Sequence, residues 1–175
     1  MRFRCRSKSI INDEEKKMGS TLNAYLKKFE EFKDLPAGQP ITIRVTDQDA
    51  TEIAREYLAE NKAGVSQLIQ KRLGLKLSVD NPSISFRDDE IRVSASGGMG
   101  FLKAKAALTA EVKWDGKPVV AVRSVEIPFL PVTPEKLNSV VEGPLKKGTG
   151  IVEQYAEIRS LKVTDGAVVL EAVRK

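Results

Sequence analysis

The sequence predicts an α+β protein in which a long, strongly curved antiparallel sheet wraps around a long amphipathic helix, with a short capping helix and an N-terminal helical arm. Three observations lead to this fold class. Apolar side chains in residues 47–73 recur with the spacing of a helix. From Leu75 onward, apolar and polar residues alternate with a period of two, as in strands that bury one face. The pairs Asp115-Gly116 and Asp165-Gly166 mark tight turns that join such strands into hairpins.

Composition and charge are those of a globular protein and argue against nucleic-acid binding. The 175 residues are 41% hydrophobic and 30% charged, which is typical of one domain with a packed core. The net charge is +5, but residues 1–33 hold nine Lys or Arg and five Asp or Glu, against twenty and nineteen in residues 34–175. A nucleic-acid-binding domain concentrates basic residues on its folded surface. Since the excess here lies in the N-terminal arm, we expect no nucleic-acid partner.

The side chains that most often carry catalysis or bind metals are rare in this sequence. It has no histidine, and its single cysteine, Cys5, lies in the basic arm, which rules out a Cys-His nucleophile pair and a Cys/His metal site. The run Asp88-Asp89-Glu90 stands between two strand patterns and indicates a hairpin tip. Gly97, Gly98 and Gly100 lack the lysine and the helix of a phosphate-binding loop, and they indicate a bend or bulge. We therefore expect no enzyme activity, no cofactor and no metal site.

Residues 1–39 are predicted to form a basic N-terminal arm with a linker, and residues 40–175 a single α+β domain. Within the arm, Asp13–Phe32 has the spacing of an amphipathic helix. Its apolar stripe consists of Met18, Leu22, Tyr25, Leu26, Phe29 and Phe32. Three destinations for this helix are open: the domain itself, a second copy of the arm, or a membrane surface.

A short strand, Ile41–Val45, is predicted to lead into one long helix, Asp47–Leu73. Thr46 or the residue after it is a candidate N-cap, and an aspartate three residues beyond Thr46 resembles a capping box. The glycine of Ala63-Gly64 weakens the helix by about 1 kcal/mol, so we expect a kink there. Gly74 is a suitable stop.

Three long hairpins are predicted to follow, with turns at 87–89, at Asp115-Gly116 and at Asp165-Gly166. In the longest strand, the residues that share one face are Leu102, Ala104, Ala106, Leu108, Ala110 and Val112. Because the alanines leave room above the sheet, another element has to come close to it, and the long helix matches that need. Such wrapping ends either in a dry core or in an elongated apolar groove.

A proline-rich segment, residues 125–144, contains the apolar pair Phe129-Leu130 in a place where neither a strand nor a helix can continue. Thr133 is a good N-cap, which predicts a short capping helix after it. The apolar residues of that helix are Leu137, Val140 and Val141. We expect Phe129 and Leu130 to point inward at one end of the sheet-wrapped core, as a plug or as a doorway.

The order of these elements, together with the segments "VTDQDA", "VEIPFLPV" and "KVTDGAVVLEA", resembles the YpmS-like family of uncharacterised bacterial membrane-anchored proteins. That family is similar in turn to tubular lipid-binding domains, in which a curved sheet cradles a helix and holds acyl chains. The resemblance covers residues 40–174. It implies a lipid-binding domain on the extracytoplasmic side of a membrane, without catalytic residues. In this chain we expect neither a signal peptide nor a transmembrane segment, since no apolar run is long enough.

The first hypothesis for function is non-enzymatic binding of a lipid or other elongated apolar ligand in a groove between helix and sheet, at a bacterial cell envelope. The residues expected to line the groove are Ile53, Tyr57, Leu68, Ile69, Leu102, Leu108, Phe129, Leu130, Leu137 and Val141. For each of them, plain core packing is the alternative. The second hypothesis is a protein-interaction or envelope-assembly module with a dry core, whose contact surface is the N-terminal helix. In that case residues 1–33 meet a membrane surface or a protein partner.

Overall fold

Residues 20–74, 78–99, 102–128, 132–138, 149–150 and 152–175 are described by the structure, a computed structural model. The main elements within these residues are α1 (Ser20–Lys33), β1 (Pro40–Thr46), α2 (Asp47–Leu73), β2 (Ser78–Arg87), β3 (Glu90–Met99), β4 (Leu102–Trp114), β5 (Pro118–Glu126), β6 (Ala156–Thr164) and β7 (Ala167–Arg174). A further short helix covers residues 134–138.

The strands form two antiparallel sheets. One is three-stranded, in the order β1-β7-β6, and the other is four-stranded, in the order β2-β3-β4-β5. The three predicted hairpins are all present, as β2-β3, β4-β5 and β6-β7. The α+β class with antiparallel strands is thus confirmed, whereas a single long sheet around a helix is not. The sheets remain separate because the outer edge of β2 is occupied by a helix and β7 pairs with β1 on its second side.

Helix α2 has the bounds that the sequence predicts. Thr46 is the N-cap, and its side chain and that of Asp49 each accept a hydrogen bond from the other's backbone N–H, which completes a capping box. Gly74 ends the helix in the left-handed conformation with φ 72°. The kink lies at Asn61 (φ −119°, ψ 21°) and not at Ala63-Gly64. There the Asn61 side chain donates a hydrogen bond of 3.1 Å to the carbonyl of Tyr57, in competition with the helical backbone.

Side chains of α2 bond to the backbone along the outer edge of β2. An exposed edge strand leaves a row of N–H and C=O groups without partners. In this protein α2 supplies those partners: Asp47 Oδ1 accepts from the N–H of Phe86 (2.8 Å), Thr51 Oγ1 accepts from the N–H of Ile84 (2.9 Å) and donates to its carbonyl (3.2 Å), and Arg55 Nε donates to the carbonyl of Pro82 (3.3 Å). Helix α2 therefore takes the place of a fifth strand.

The spacing of these bonds follows from the geometry of the two elements. Asp47, Thr51 and Arg55 are four residues apart, which is about 6 Å along a helix. Their partners on β2 are two residues apart, which is about 6.6 Å along a strand. Because the two repeats nearly match, helix and strand stay in register over three successive contacts. An ion pair of 2.6 Å between Lys62 and Asp80 lies further along the same edge.

The turn of the β6-β7 hairpin ties the two sheets and α2 together. Gly166 donates its N–H to the carbonyl of Phe86 (3.0 Å), and its own carbonyl accepts from the N–H of Asp47 (3.1 Å). Beneath this point Phe86, Val112 and Val163 form a buried cluster that takes residues from both sheets. The core between the sheets is thus concentrated at one end of the four-stranded sheet.

Helix α1 packs against the three-stranded sheet. Of the three alternatives for the arm, this is packing on the domain itself. Phe32 is buried against Ala156 and Ala172. At the end of α1, the guanidinium of Arg174 donates to the carbonyl of Lys33 (3.2 Å) and to that of Tyr155 (2.7 Å). A cation at this position also interacts favourably with the negative end of the helix dipole. The part of the predicted arm helix before Ser20 lies outside the described residues.

Tyr25 joins α1 to the start of α2. Its hydroxyl oxygen lies 2.8 Å from Asp49 Oδ2 and 2.9 Å from the carbonyl oxygen of Arg44, on the outer edge of β1. Burial, and then the hydrogen bond and negative charge of Asp49, raise the pKa of Tyr25 from 10.0 to about 12. Hydrogen bonds from Thr46 and Tyr25 hold the pKa of Asp49 below its usual value.

The short helix 134–138 covers the middle of the four-stranded sheet. Leu137 is buried with Ala110 and Val122, and Asn138 Oδ1 accepts from the N–H of Val122 on the edge strand β5 (2.7 Å). The predicted start of this helix after Thr133 is confirmed. The predicted plug or doorway, Phe129 and Leu130, and the helix residues Val140 and Val141 lie outside the described residues.

Replacing Thr51 with valine removes a hydroxyl group and leaves both backbone groups of Ile84 without their side-chain partner. We expect the free energy of unfolding to fall by about 1–3 kcal/mol, because buried polar groups without partners are costly. Urea unfolding measures the change. The control is Thr51→Ser, which keeps the hydroxyl and should stay within about 1 kcal/mol of the parent. A Thr51→Val protein as stable as the parent would contradict the role given to these bonds.

Ionisation of Tyr25 at alkaline pH lowers the free energy of unfolding. Since the folded state holds the phenolic proton more tightly than the unfolded chain, this contribution is fully present below the ordinary pKa of 10.0 and is lost as the pH rises through about 12. We expect tyrosinate absorbance to show a step near pH 12 that Tyr25→Phe removes. Asp49→Asn should move that step to lower pH. The assignment is wrong if the titration of the Tyr25→Phe protein still contains the late step.

Candidate functional site

The inner face of the four-stranded sheet, which carries Phe86 and Ala110, is the candidate site. The register places Ala104 opposite Gly97 and Ala106 opposite Ala95 on this face, between β4 and β3. The intervening Lys103 and Lys105 are exposed on the other face, as the alternation in the sequence predicts. The strand pairing thus collects small residues from two strands.

The inner face divides into a covered part and a part of small residues. The covered part includes Ala110 and Val112, which belong to the buried clusters described above. Further along lie Ala95, Gly97, Ala104 and Ala106, here called the small-residue strip. These four residues are half-buried and belong to none of the core clusters formed by the described residues. Among the described residues, this strip is therefore the part of the inner face that lies outside the core clusters.

Gly97 has a packing role in this strip. A Cβ atom added to it would lie 2.7 Å from the carbonyl oxygen of Ser78 on the neighbouring strand, far inside van der Waals contact. Glycine thus allows β2 to approach β3 closely at this point. The bend or bulge predicted for Gly97, Gly98 and Gly100 does not lie at the first two of these residues, since both pair regularly within β3. Gly100 lies outside the described residues.

One face of α2 continues beyond the core that covers its first turns. Ala50 and Tyr57 share this face, because a separation of seven residues is about two helical turns, and Leu68 lies beyond the kink at Asn61. Ala50 packs against the cluster of Phe86 and Val112. Beyond it, Tyr57 is 56% exposed and Leu68 is 51% exposed. The apolar face of the helix therefore extends past the core that covers its first turns.

The predicted lining residues differ in their exposure to solvent. Ile53, Ile69 and Leu108 are half-buried, Tyr57 and Leu68 are exposed, and Leu137 is buried. Leu108 and Leu137 lie together in the cluster around Ala110, which is core packing. The side chain of Leu102, as well as Phe129, Leu130 and Val141, lies outside what the structure describes.

We expected the long helix to lie across the alanines of β4. It packs mainly against β2 instead. The reason is that β2 offers unpaired backbone groups, whereas β4 has strands on both sides. The helix consequently lies along β2, the strand next to the part of the sheet that carries the small-residue strip. Sequence reasoning missed the residues of this strip on β3, Ala95 and Gly97. Their small size was a signal, but only the pairing register shows that they adjoin Ala104 and Ala106.

Among the described residues, no three acidic or cysteine side chains are grouped closely enough to hold a metal ion. Asp88 and Asp89 form the tip of the β2-β3 hairpin with positive φ angles of 38° and 67°, as expected for a structural turn. In the part of the chain that the structure describes, no helix is long and apolar enough to cross a membrane.

Searches with protein-family models and against curated protein sequences gave no match for this chain.

A second groove lies between α1 and the outer edge of β1. Its volume is about 270 Å³, and its walls include Tyr25, Phe32 and Leu35. On this edge the Tyr25 hydroxyl oxygen lies 2.9 Å from the carbonyl oxygen of Arg44, and the strand begins at Pro40, which has no N–H.

Leu68→Ala tests whether the exposed face of α2 belongs to the core. We expect it to lower the free energy of unfolding by less than about 1 kcal/mol, because Leu68 is half in solvent. The matched change Leu137→Ala, at a leucine that is 8% exposed, should cost about 2–4 kcal/mol. Urea unfolding of the two variants provides the comparison. Equal losses would mean that Leu68 is packed as tightly as Leu137, and the site would then be a closed core.

Proposed function

We propose that this protein is a non-enzymatic binding domain for a lipid or other elongated apolar ligand, held between α2 and the small-residue strip. The observation that carries the proposal is the exposed apolar face of α2, with Tyr57 and Leu68, beside a half-buried strip of alanine and glycine on the sheet. A ligand placed there covers apolar surface on both sides. In this proposal, the helix and the curved sheet together enclose an apolar space, as expected from the sequence.

The dimensions favour an elongated ligand. From Ala50 to Leu68 the helix face extends about 27 Å, at about 1.5 Å per residue. Bulges in β2 and β5 bend the sheet. Burial of each methylene group contributes about 0.8 kcal/mol, so an acyl chain gains affinity from length without any specific polar contact. Small side chains beneath it allow such a chain to approach the sheet closely.

The resemblance of residues 40–174 to the YpmS-like family supports the same proposal. It is also the reason for proposing that the protein acts at a bacterial cell envelope, in association with the membrane.

The alternative function is a protein-interaction module that uses α1. In its favour, Leu26 and Leu35 are 38% and 41% exposed on and just after that helix. Against it, Phe29 and Phe32 of the same apolar stripe pack on the three-stranded sheet and are not available to a partner. Because removal of α1 would open the core, the double variant Leu26→Ser with Leu35→Ser is the better test of this alternative. A loss of association with unchanged lipid uptake would favour it.

The lipid proposal is tested with a matched pair of substitutions on β4. Ala106 faces the small-residue strip, and its neighbour Ala107 faces the outer side of the same sheet, opposite Ser94. A tryptophan at 106 fills the space above the strip. We expect Ala106→Trp to reduce uptake of a fluorescent fatty acid at least tenfold, and Ala107→Trp to change it less than twofold.

Native mass spectrometry of protein purified without detergent provides the second measurement. We expect an added mass that organic extraction removes and identifies as lipid, and that is absent from the Ala106→Trp protein. A clean apo mass, together with no uptake of fatty acid by the parent protein, would overturn the proposal. Equal uptake by both tryptophan variants would place any bound ligand elsewhere.

A further inference from the structure

The outer face of the four-stranded sheet, opposite the small-residue strip, has a concavity of about 320 Å³. Its lining residues are Ser85, Arg87, Glu90, Arg92 and Thr109. The register places Ser85, Arg92 and Thr109 in one row across β2, β3 and β4, and Arg87 opposite Glu90 in the next row. The two arginines are thus diagonal neighbours across the hairpin, at a separation that long side chains can bridge. Both guanidinium groups can reach one bound group.

The hairpin that carries these residues is held in place on both sides of its tip. Asp89 donates its N–H to the carbonyl of Val163 (3.1 Å), and its own carbonyl accepts from the N–H of Val112 (2.8 Å). These bonds fix the turn against β6 and β4. The concavity is therefore built on rigid strands, which position side chains more accurately than loops do.

The positive charge of the concavity is only partly neutralised. Arg92 lies 3.6 Å from Glu126, with both side chains more than half exposed, and such a pair is weak. The guanidinium group of Arg87 forms neither a hydrogen bond nor an ion pair with any other residue that the structure describes. The nearby carboxylate of Glu111 is engaged by Arg123 and Lys113. Because the concavity is lined by two arginines and one glutamate, Glu90, it carries an excess positive charge that an anion between Arg87 and Arg92 would balance.

We propose that this concavity binds a phosphate monoester whose organic part carries a hydroxyl group. A guanidinium group presents two parallel N–H donors that match two oxygens of a phosphate, and two such groups can hold one phosphate from both sides. Ser85 and Thr109 add hydroxyl donors in the row of Arg92. Glu90 accepts a hydrogen bond from the hydroxyl of the ligand. The volume is at the lower end of the range for small-molecule sites, about 300–1,000 Å³.

The test is a titration with glycerol 3-phosphate at constant ionic strength, followed by amide NMR shifts and by calorimetry. We expect the amides of Arg92 and Thr109 to shift, and Arg87→Ala and Arg92→Ala each to weaken binding about tenfold, as loss of a charged hydrogen bond does. The control is Arg159→Ala, which removes an exposed arginine of β6, paired with Glu157, and should change affinity less than twofold. The side chains of Arg92 and Arg159 are more than half exposed, and Arg87 is also exposed. The variants should therefore keep the fold, which circular dichroism checks.

A second arm of the experiment distinguishes the two sources of such a phosphate. Vesicles of phosphatidylcholine with and without lysophosphatidic acid present a lipid phosphate monoester that keeps one free glycerol hydroxyl. Retention by lysophosphatidic acid that requires Arg87 and Arg92 would identify a headgroup, whereas binding of glycerol 3-phosphate alone would identify a free metabolite. No shift with either probe, or Arg87→Ala and Arg92→Ala behaving like Arg159→Ala, would overturn the proposal. Binding that persists in Ala106→Trp would show that this site is independent of the apolar one.

Discussion

Bonding of α2 side chains to the outer edge of β2 is the interaction on which the rest of this structure depends. An edge strand presents backbone groups that are costly to bury without partners. Since Thr51 and its neighbours supply those partners, α2 lies beside the four-stranded sheet and not over it. The inner face of the sheet is then covered by other parts of the chain, the β6-β7 hairpin at one end and Leu137 in the middle. The strip of small residues remains beside the helix.

Two other edge strands also have a backbone group that faces a polar side chain of a helix. The Tyr25 hydroxyl lies at the carbonyl of Arg44 on β1, and the Asn138 side chain accepts from the N–H of Val122 on β5. In each case a polar residue of a helix faces a strand and completes its hydrogen bonds. Besides these polar contacts, the buried apolar side chains of the described residues form separate clusters, such as that of Phe32 with Ala156 and Ala172.

The local features of this fold could be predicted from the sequence, and the long-range ones could not. The ends of α2 at Thr46 and Gly74 and the turns of the hairpins depend on a few adjacent residues, and these predictions are confirmed. The division into two sheets depends on which edge a helix covers, and no periodicity contains that information. For the same reason, the predicted lining mixed exposed Tyr57 and Leu68 with Leu137, which is core. Helical spacing identifies an apolar face but not the element that packs on it.

The kink at Asn61 divides α2 into two parts that are held very differently. The first part is anchored to β2 by the bonds of Asp47, Thr51 and Arg55, whereas beyond the kink the ion pair of Lys62 with Asp80 is exposed to solvent. Stability against local opening is set by such contacts and differs along one helix. Amide hydrogens after Asn61 should accordingly exchange with solvent through a smaller, separate opening event.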